Sequence, residues 1–524
     1  DVNDNVLIGD DGNDIITGGG GVDVLIGGSG DDTLTGVIAA DHHMGYGTGY
    51  NLASYSSESS AITATLSSTV TVTGASAGTD TLVNINEIIG TSQADQFTVD
   101  SSYLATFVEG TNPFAGNVFR GGGGDDIITG NGNTRAVYSH ETASVTVDLS
   151  TATGLAIGAS AGTDTLTGVD SITGSAFDDV FTGGTFNGVN TFRGGAGDDI
   201  IDGTLGLTRA DYHDSDATQG VTVDLGTLDG GGNVIVVDGL GGTDTLTSVE
   251  WVVGTKFDDV LTGDTGDNRF RGAEGSDTID GGAGIDTADY ALDNASVTVD
   301  LGSDNQTVSV TVIDSFGGTD TLSNIENVFG SAYADTITGD AGANKLEGSW
   351  GYDILDGGAG DDILIGGGGD DTYYASAGAD QIFAGIGVDT LIFDGIFEPY
   401  NGEIVDADTD GAIDDLRFYF DDFSGGEYTV DIIDHADATA ANPLSFVQFY
   451  FDEDDILDQF AVADAFDVSG DAAFAAINTV IAGSAGVEPL GGNTGNDLIS
   501  GNGGADTISG GGGDDEITYD SADV

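Results

Sequence analysis

The chain has 524 residues, with 90 Asp or Glu against 9 Lys or Arg, for a formal net charge of −81. Only 14 acids are Glu, which leaves 76 Asp, beside 89 Gly, 4 Pro and no Cys. These numbers exclude a basic nucleic-acid face, attraction to an anionic membrane, disulfides and thiolate metal sites, and they disfavour helix. No run of 18 apolar residues is long enough for a transmembrane segment. The 39% hydrophobic content, with 24 Phe and 16 Tyr, can form a core once the Asp are neutralised, and hard cations with oxygen ligands are the candidates. The chain opens at Asp1 without Met or a signal-peptide pattern, so it reads as a processed product or a fragment.

Internal repeats organise the chain. A first block, 1–45, holds nonapeptides from Gly9, Gly18 and Gly27 (GDDGNDIIT, GGGGVDVLI, GGSGDDTLT). Residues 46–350 form four super-repeats. Each carries an aromatic anchor (Tyr55, Tyr138, Tyr212, Tyr290) and TDTL (Thr79, Thr163, Thr243, Thr319), then a segment such as EWVVGTKFDDVLTG from Glu250. VTVDL recurs at Val145, Val221 and Val297, and is expected to continue the solenoid with hairpin excursions. Single nonapeptides start at Gly121 and Gly194, four run from Gly254 to Asp289, and seven run from Gly330, continuing through the block 351–392. Residues 393–490 are aromatic-rich with alternating apolar residues, read as a small mixed module or long insertion of strands with one helix over 471–482. A last block, 491–524, has units from Gly492, Gly501 and Gly510.

Each nonapeptide has two physical halves. Six residues form a turn whose glycines allow positive φ. Three form a short strand with an apolar middle residue: Ile16, Leu25, Leu34, Ile128, Leu355 or Leu364. Two nonapeptides make one flattened coil, so residues 18 apart stack, with strands ~4.8 Å apart. Asp14 and Asp32 are 18 apart, as are Asp335 and Asp353, Asp353 and Asp371, Asp362 and Asp380, and Asp371 and Asp389. Bare carboxylates stacked so closely repel by a few kcal/mol, roughly, at an effective dielectric of about 20. A divalent cation between successive turns removes that repulsion. Calcium, with six to eight oxygens at roughly 2.3–2.6 Å, suits the site better than magnesium.

The tandem nonapeptides resemble the RTX (repeats-in-toxin) calcium-binding family, GGxGxDxUx. The resemblance implies an all-β, right-handed parallel β-roll with several calcium ions in its turns. It implies that one turn gives carbonyls of its second and fourth residues plus the sixth-residue Asp. The turn one coil on gives carbonyls of its first and third residues plus its Asp. Carried over, Asp10, Gly12 and Asp14 share an ion with Gly27, Ser29 and Asp32, and Gly18, Gly20 and Asp23 belong to the turn between. Asp95 is matched with Gly121, Gly123 and Asp126; Asp179 with Gly194, Ala196 and Asp199; Asp259 with Gly272, Glu274 and Asp277. Gly281, Ala283 and Asp286 follow, and Asp335 is matched with Gly348, Trp350 and Asp353. Ser349, Gly351 and Asp353 pair with Gly366, Gly368 and Asp371, and Gly367, Gly369 and Asp371 with Ala384, Ile386 and Asp389. Gly357 and Ala359 join Asp362, and Gly358, Gly360 and Asp362 pair with Ala375, Ala377 and Asp380. Asn493, Gly495 and Asp497 pair with Gly510, Gly512 and Asp515, with Asp506 between. Asn stands where Asp is expected at Asn117, Asn190, Asn268 and Asn344, predicting weaker ligation or a hydrogen bond. The spacing is 20 between Asp179 and Asp199, which puts that site in question, and 31 between Asp95 and Asp126, so a loop around Pro113 must bulge out.

Outside the repeats, DADTDG (Asp406, Asp408, Asp410, with Asp414 following) opens like a calcium loop, but Arg417 stands at the twelfth position and the flanks read as strands. GASAG at Gly74 and Gly158 matches a nucleophile elbow. It recurs at one place in two super-repeats, so a turn is the better reading. No HExxH or phosphate loop occurs, and Trp251 and Trp350 read as packing residues. The expectation is a calcium-binding structural protein, not an enzyme, extracellular or on a bacterial cell surface. The family resemblance implies export by type I secretion. Such a chain would self-associate into an S-layer, filament or adhesin stalk on calcium binding, with cell-surface polysaccharide as a further partner. The alternatives are an accessory region of a secreted enzyme and a ligand-binding adhesin module.

Overall fold

The computed structural model describes residues 3–36, 51–101, 103, 117–185, 188–214, 216–302, 310–313, 318–375, 378–386 and 389–394, with the strands from Glu398–Val405 to Glu516–Thr518 beyond them. Every regular element among the described residues is a β-strand, most of them three to six residues long. The fold is an all-β parallel β-roll.

The chain divides into two compact units: Asp1–Asp286 with Phe316–Asp320, and Thr287–Ser315 with Thr321–Val524. In the first unit, successive nonapeptide strands alternate between two parallel sheets. Val6–Ile8 pairs with Asp23–Ile26, with Val6 opposite Val24, and Ile15–Thr17 pairs with Thr33–Thr35, with Ile15 opposite Thr33. The register of 18 is therefore that of the sequence repeat. Asp23–Ile26 leads on through Asn51–Ser54, Glu87–Ile89 and Asn117–Arg120 in one sheet. The middle residue of each strand points inward: Leu25, Leu34, Phe119, Phe192 and Phe270 are all fully buried. Phe181 and Phe192 stack with ring centroids 5.4 Å apart, across the thin space between the sheets.

The super-repeats insert a strand reversal without leaving the sheet. After Thr33–Thr35, the next parallel neighbour is Gly78–Val83, whose strand contains TDTL. Val70–Gly74 runs antiparallel to it and to Ile62–Leu66, and Ile62–Leu66 then pairs parallel with Gln96–Val99. The same S-shaped meander is built from Thr146–Asp148, Gly154–Gly158 and Gly162–Thr167 in the second super-repeat. In the third it is built from Thr222–Asp224, Val234–Val237 and Thr243–Thr247. VTVDL thus continues the roll, and the excursion lies in the plane of the sheet.

In the second unit, Asn327–Phe329, Lys345–Trp350, Ile363–Gly368 and Ala379–Ile386 stack in parallel, and Thr336–Thr338, Ile354–Asp356, Thr372–Ala375 and Thr390–Asp394 do the same in the other sheet. Strands within 393–490 pair with strands of the roll. Glu427–Ile433 pairs with Ala379–Ile386, and Phe446–Tyr450 pairs with Thr390–Asp394, so both sheets run on. Glu398–Val405, Asp415–Asp421 and Glu427–Ile433 make another antiparallel meander. The helix expected over 471–482 is corrected at its second half. Asn478–Ala482 is a strand, parallel to Phe446–Tyr450 and to Leu498–Ser500, because sheet pairing on both sides outweighs the helical spacing of a few Ala and Ile. The first half of that expected helix, 471–477, lies outside the described residues.

Candidate metal centres in the stacked turns

Several of the turns carry two residues with positive φ, the second and fourth of the nonapeptide: Gly28 (97°) and Gly30 (137°), Gly358 (85°) and Gly360 (136°). A Cβ at Gly28 would collide with the carbonyl oxygen of Asp10, and one at Gly30 with that of Gly12, so the turn carbonyls of one coil press against the backbone of the next. Backbone bonds tie these turns together: Ser29 N–H donates to the Asp10 carbonyl (2.9 Å) and Gly12 N–H to the Ser29 carbonyl (2.7 Å). Three non-glycine residues hold the strained second position: Asp10 (70°), Ala273 (74°) and Ser349 (80°).

The sixth-residue Asp form columns. The backbone N–H of each donates to Oδ1 of the Asp one coil on: Asp14 to Asp32 (2.8 Å), Asp335 to Asp353 (2.8 Å), Asp353 to Asp371 (2.9 Å), and Asp371 to Asp389 (2.9 Å). The other oxygen, Oδ2, is buried without a hydrogen-bond partner in Asp14, Asp32, Asp126, Asp199, Asp353, Asp362, Asp371 and Asp389. A buried carboxylate oxygen left so is costly, by about 1–3 kcal/mol or more. Burial first, then neighbouring carboxylates, push these groups up: Asp126 and Asp199 to about 8, Asp353, Asp362 and Asp371 to about 7. The space beside them is oxygen-lined. A Cβ on Gly9 would lie 2.6 Å from both Asp14 Oδ2 and the Gly27 carbonyl oxygen, within the span calcium takes to its ligands, roughly 2.3–2.6 Å. The donor set therefore fits calcium. Among the described residues no three His, Cys, Asp or Glu side chains are placed to hold a metal ion unaided. The fit comes instead from paired carboxylates with carbonyls.

Four expected ligands have other partners. Asp95, Asp179, Asp259 and Asp335 belong to turns whose second residue is Thr91, Ser175, Thr255 or Ser331. Thr255 donates its N–H to Asp259 Oδ2 (2.6 Å) and its hydroxyl to Oδ1 (3.0 Å), and Val221 N–H adds a third bond (2.6 Å). Asp95, Asp179 and Asp335 are held in the same way. Each of these carboxylates already accepts three hydrogen bonds, two from its own turn and one from a backbone N–H of the inserted meander. Across the spacings of 20 and 31, the column link persists: Asp179 N–H donates to Asp199 (2.8 Å) and Asp95 N–H to Asp126 (2.7 Å). The Asn positions carry hydrogen bonds. Asn268 Oδ1 accepts from Asp264 N–H (2.8 Å), and Asn344 Nδ2 donates to the Glu326 carbonyl (2.7 Å).

The structure adds ligand-like residues that the sequence reading passed over. Asp32 N–H donates to Asp80 Oδ1 (2.9 Å), Asp126 N–H to Asp164 (2.9 Å), Asp199 N–H to Asp244 (3.0 Å) and Asp277 N–H to Asp320 (2.9 Å). These are the Asp of TDTL, standing where a nonapeptide Asp would stand, although 38 to 48 residues away in the chain. The signal was present: GTDTL is the second half of a nonapeptide, Gly-x-Asp-x-apolar. The anchor tyrosines reach into this space, and Tyr138 Oη donates to Asp164 Oδ2 (3.0 Å).

The second- and fourth-residue donors Ser349 and Gly351, and the first- and third-residue donors Gly357, Ala359, Gly366, Gly368 and Ala375, lie on stacked strands and turns of the second unit. The Trp350 ring lies over Gly368, with about half of the residue (52%) exposed. Trp251 lies between Arg269 (4.2 Å to the ring centroid) and Arg209 (5.0 Å). GASAG is a hairpin turn, and Ser160 Oγ donates to Glu141 Oε2 (2.6 Å). Ala377, Asp406, Asp408, Asp410, Asp414, Asn493, Gly495, Asp497, Asp506, Gly510, Gly512 and Asp515 lie outside the described residues.

The family model for the RTX calcium-binding nonapeptide repeat (four copies) matches residues 2–34, 115–134, 164–185, 185–206, 253–288, 314–355, 329–364, 365–395 and 482–522. The chain is an RTX repeat protein. Two of the matches begin at or enclose TDTL strands, at 164–185 and 314–355, so this RTX protein uses half-motifs as well as full nonapeptides. No curated protein matches the chain. No helix among the described residues is long and apolar enough to cross a membrane.

Proposed function

We propose that this RTX protein is a secreted structural protein of the bacterial cell surface, folding and assembling when calcium binds. The observation that carries the reading is the set of buried, unpartnered Oδ2 atoms in the Asp columns. Residues that would hold calcium are Asp14 with Asp32, Asp353 with Asp371 and Asp389, and the TDTL residue Asp80 with Asp32, with turn carbonyls as further donors. Bound calcium supplies the positive charge that a chain of net charge −81 lacks. Extracellular calcium modules work at roughly 10⁻⁴ to 10⁻³ M, so the chain stays open where calcium is scarce and closes outside the cell. Parallel strands at the ends of a solenoid present unpaired edges, which favours end-to-end assembly into a lattice or filament. No catalytic constellation was readable in the sequence, and the role proposed is mechanical.

The test is circular dichroism during a calcium titration, followed by electron microscopy with calcium and with a chelator. Cooperative gain of β-structure and calcium-dependent fibres or sheets are the expected results. Monodisperse particles at saturating calcium would remove the assembly claim, and β-structure indifferent to a chelator would remove the calcium switch.

A further inference from the structure

We propose that the third super-repeat holds an additional calcium ion in a cleft beside the Asp column, with Asp238 as a carboxylate ligand that belongs to no nonapeptide. The inference rests on the calcium reading above. A small cleft of about 10 Å³ opens there, lined by Arg193, Gly194, Tyr212, Asp214, Asp238 and Asp244 among others. Asp238 is 2% exposed. Its Oδ1 is pinned by three backbone N–H groups, from Leu240 (2.9 Å), Gly241 and Gly242 (2.6 Å). Its Oδ2 is buried with no hydrogen-bond partner. A Cβ at Gly242 would lie 2.9 Å from that Oδ2 and would collide with the Gly197 carbonyl oxygen, so both oxygens border one small space. Asp244 faces the same cleft, and Asp199, whose Oδ2 is also unpartnered, lies one coil before it. The nearby guanidinium of Arg193 is directed to Asp211 (3.0 Å). Carboxylate and carbonyl oxygens around a small gap suit a hard divalent cation.

The second super-repeat gives the contrast. Gly158 stands where Asp238 does, six residues before the TDTL Asp. There Glu141 takes over the capping bonds, with Oε2 accepting from Ser160 N–H (3.0 Å), Ser160 Oγ (2.6 Å) and Ala161 N–H (3.1 Å). Its Oε1 lies 3.3 Å from His140 Nε2. In that turn Glu141 Oε1 is also buried without a hydrogen bond, but His140 stands beside it, whereas Asp238 stands beside the Asp column.

Calcium bound per chain, counted by equilibrium dialysis at about 1 mM free calcium, tests the site in the full chain. Asp238→Asn keeps the Oδ1 cap and removes the charge. It is expected to bind one ion fewer than the wild type, while Asp353→Asn serves as the loss control for the nonapeptide column. An unchanged count in folded D238N, with a reduced count in D353N, overturns the additional site and leaves the calcium reading standing. A wild type that binds no calcium overturns both. If D238N fails to fold by circular dichroism, the double variant Glu141→Ala with Gly158→Asp decides. Gly158 does not have positive φ, and with Glu141 shortened a Cβ there would be tight only against Ala161 Cβ, at 3.2 Å. One ion gained supports the assignment, and none gained overturns it.

Discussion

Calcium binding by this protein should expel protons, and the number should depend steeply on pH. Without a cation, burial holds Asp126 and Asp199 at about 8 and Asp164, Asp244, Asp353, Asp362 and Asp371 at about 7. These folded-state values are raised above the ordinary 3.8. The stability they contribute is therefore complete below about pH 4 and is lost as pH rises through about 7 to 8. For Asp371, 1% exposed, roughly three units at about 1.4 kcal/mol each is about 4 kcal/mol forfeited by the cation-free fold over that window. At pH 6.5 a group at about 8 is about 97% protonated and one at about 7 about 76%, so the seven together carry between five and six protons, roughly. At pH 8.5 they carry under one, roughly. Isothermal calorimetry of calcium binding in buffers of different ionisation enthalpy reads this directly. Release near five protons at pH 6.5, falling below about one at pH 8.5, is expected. Circular dichroism in chelator should show β-structure retained near pH 5 and lost near pH 8. Release that is zero, or flat with pH, would refute the claim that these oxygens face a cation.

Side-chain changes separate the kinds of site. Ala273→Gly and Ser349→Gly relieve left-handed backbone at 74° and 80° and should each stabilise by about 0.5–1 kcal/mol at saturating calcium, read from chemical denaturation. Thr255→Val removes the hydroxyl bond to Asp259 and should cost about 1–2 kcal/mol while leaving the calcium count unchanged. A lost ion in that variant would return Asp259 to the ligand set. Asp80→Asn should lower the calcium count by one, although Asp80 lies in no full nonapeptide; an unchanged count would show that TDTL is structural only. Leu34→Ala, at a fully buried position, should cost about 2–5 kcal/mol by denaturation with the ion count preserved.

Much of this was legible because the repeat fixes both position and chemistry. A period of nine with one apolar residue dictates inward Leu34 and Leu355, and a coil of 18 puts Asp353 over Asp335. What the repeat could not show was how the chain is routed where the period breaks. Asp80 looked like part of a plain strand because the residue it stacks against is 48 positions earlier, beyond any local pattern. The antiparallel strand Val70–Gly74 hides that adjacency, since it is neither a nonapeptide nor set at the coil spacing. Asp259 misled in the opposite sense. It has the right spacing to Asp277, yet the Thr255 hydroxyl and N–H and the Val221 N–H already bond its carboxylate.

These two exceptions have a common consequence for how the roll responds to calcium. Turns closed by Thr255 or Ser331 keep their carboxylates bonded whatever the ion concentration, whereas the run Asp353, Asp371 and Asp389 has Oδ2 atoms that only a proton or a cation can satisfy. Each super-repeat thus alternates a hydrogen-bonded turn with cation-dependent ones, and the uninterrupted block after Gly348 has no such relief. Loss of calcium should therefore open that block before the super-repeats. Hydrogen exchange during stepwise chelation would read it as early deprotection of Ile354–Asp356 and Ile363–Gly368, with Val260–Thr262 protected longest. Simultaneous deprotection of all three strands would show that the Ser and Thr turns confer no independence from the ion.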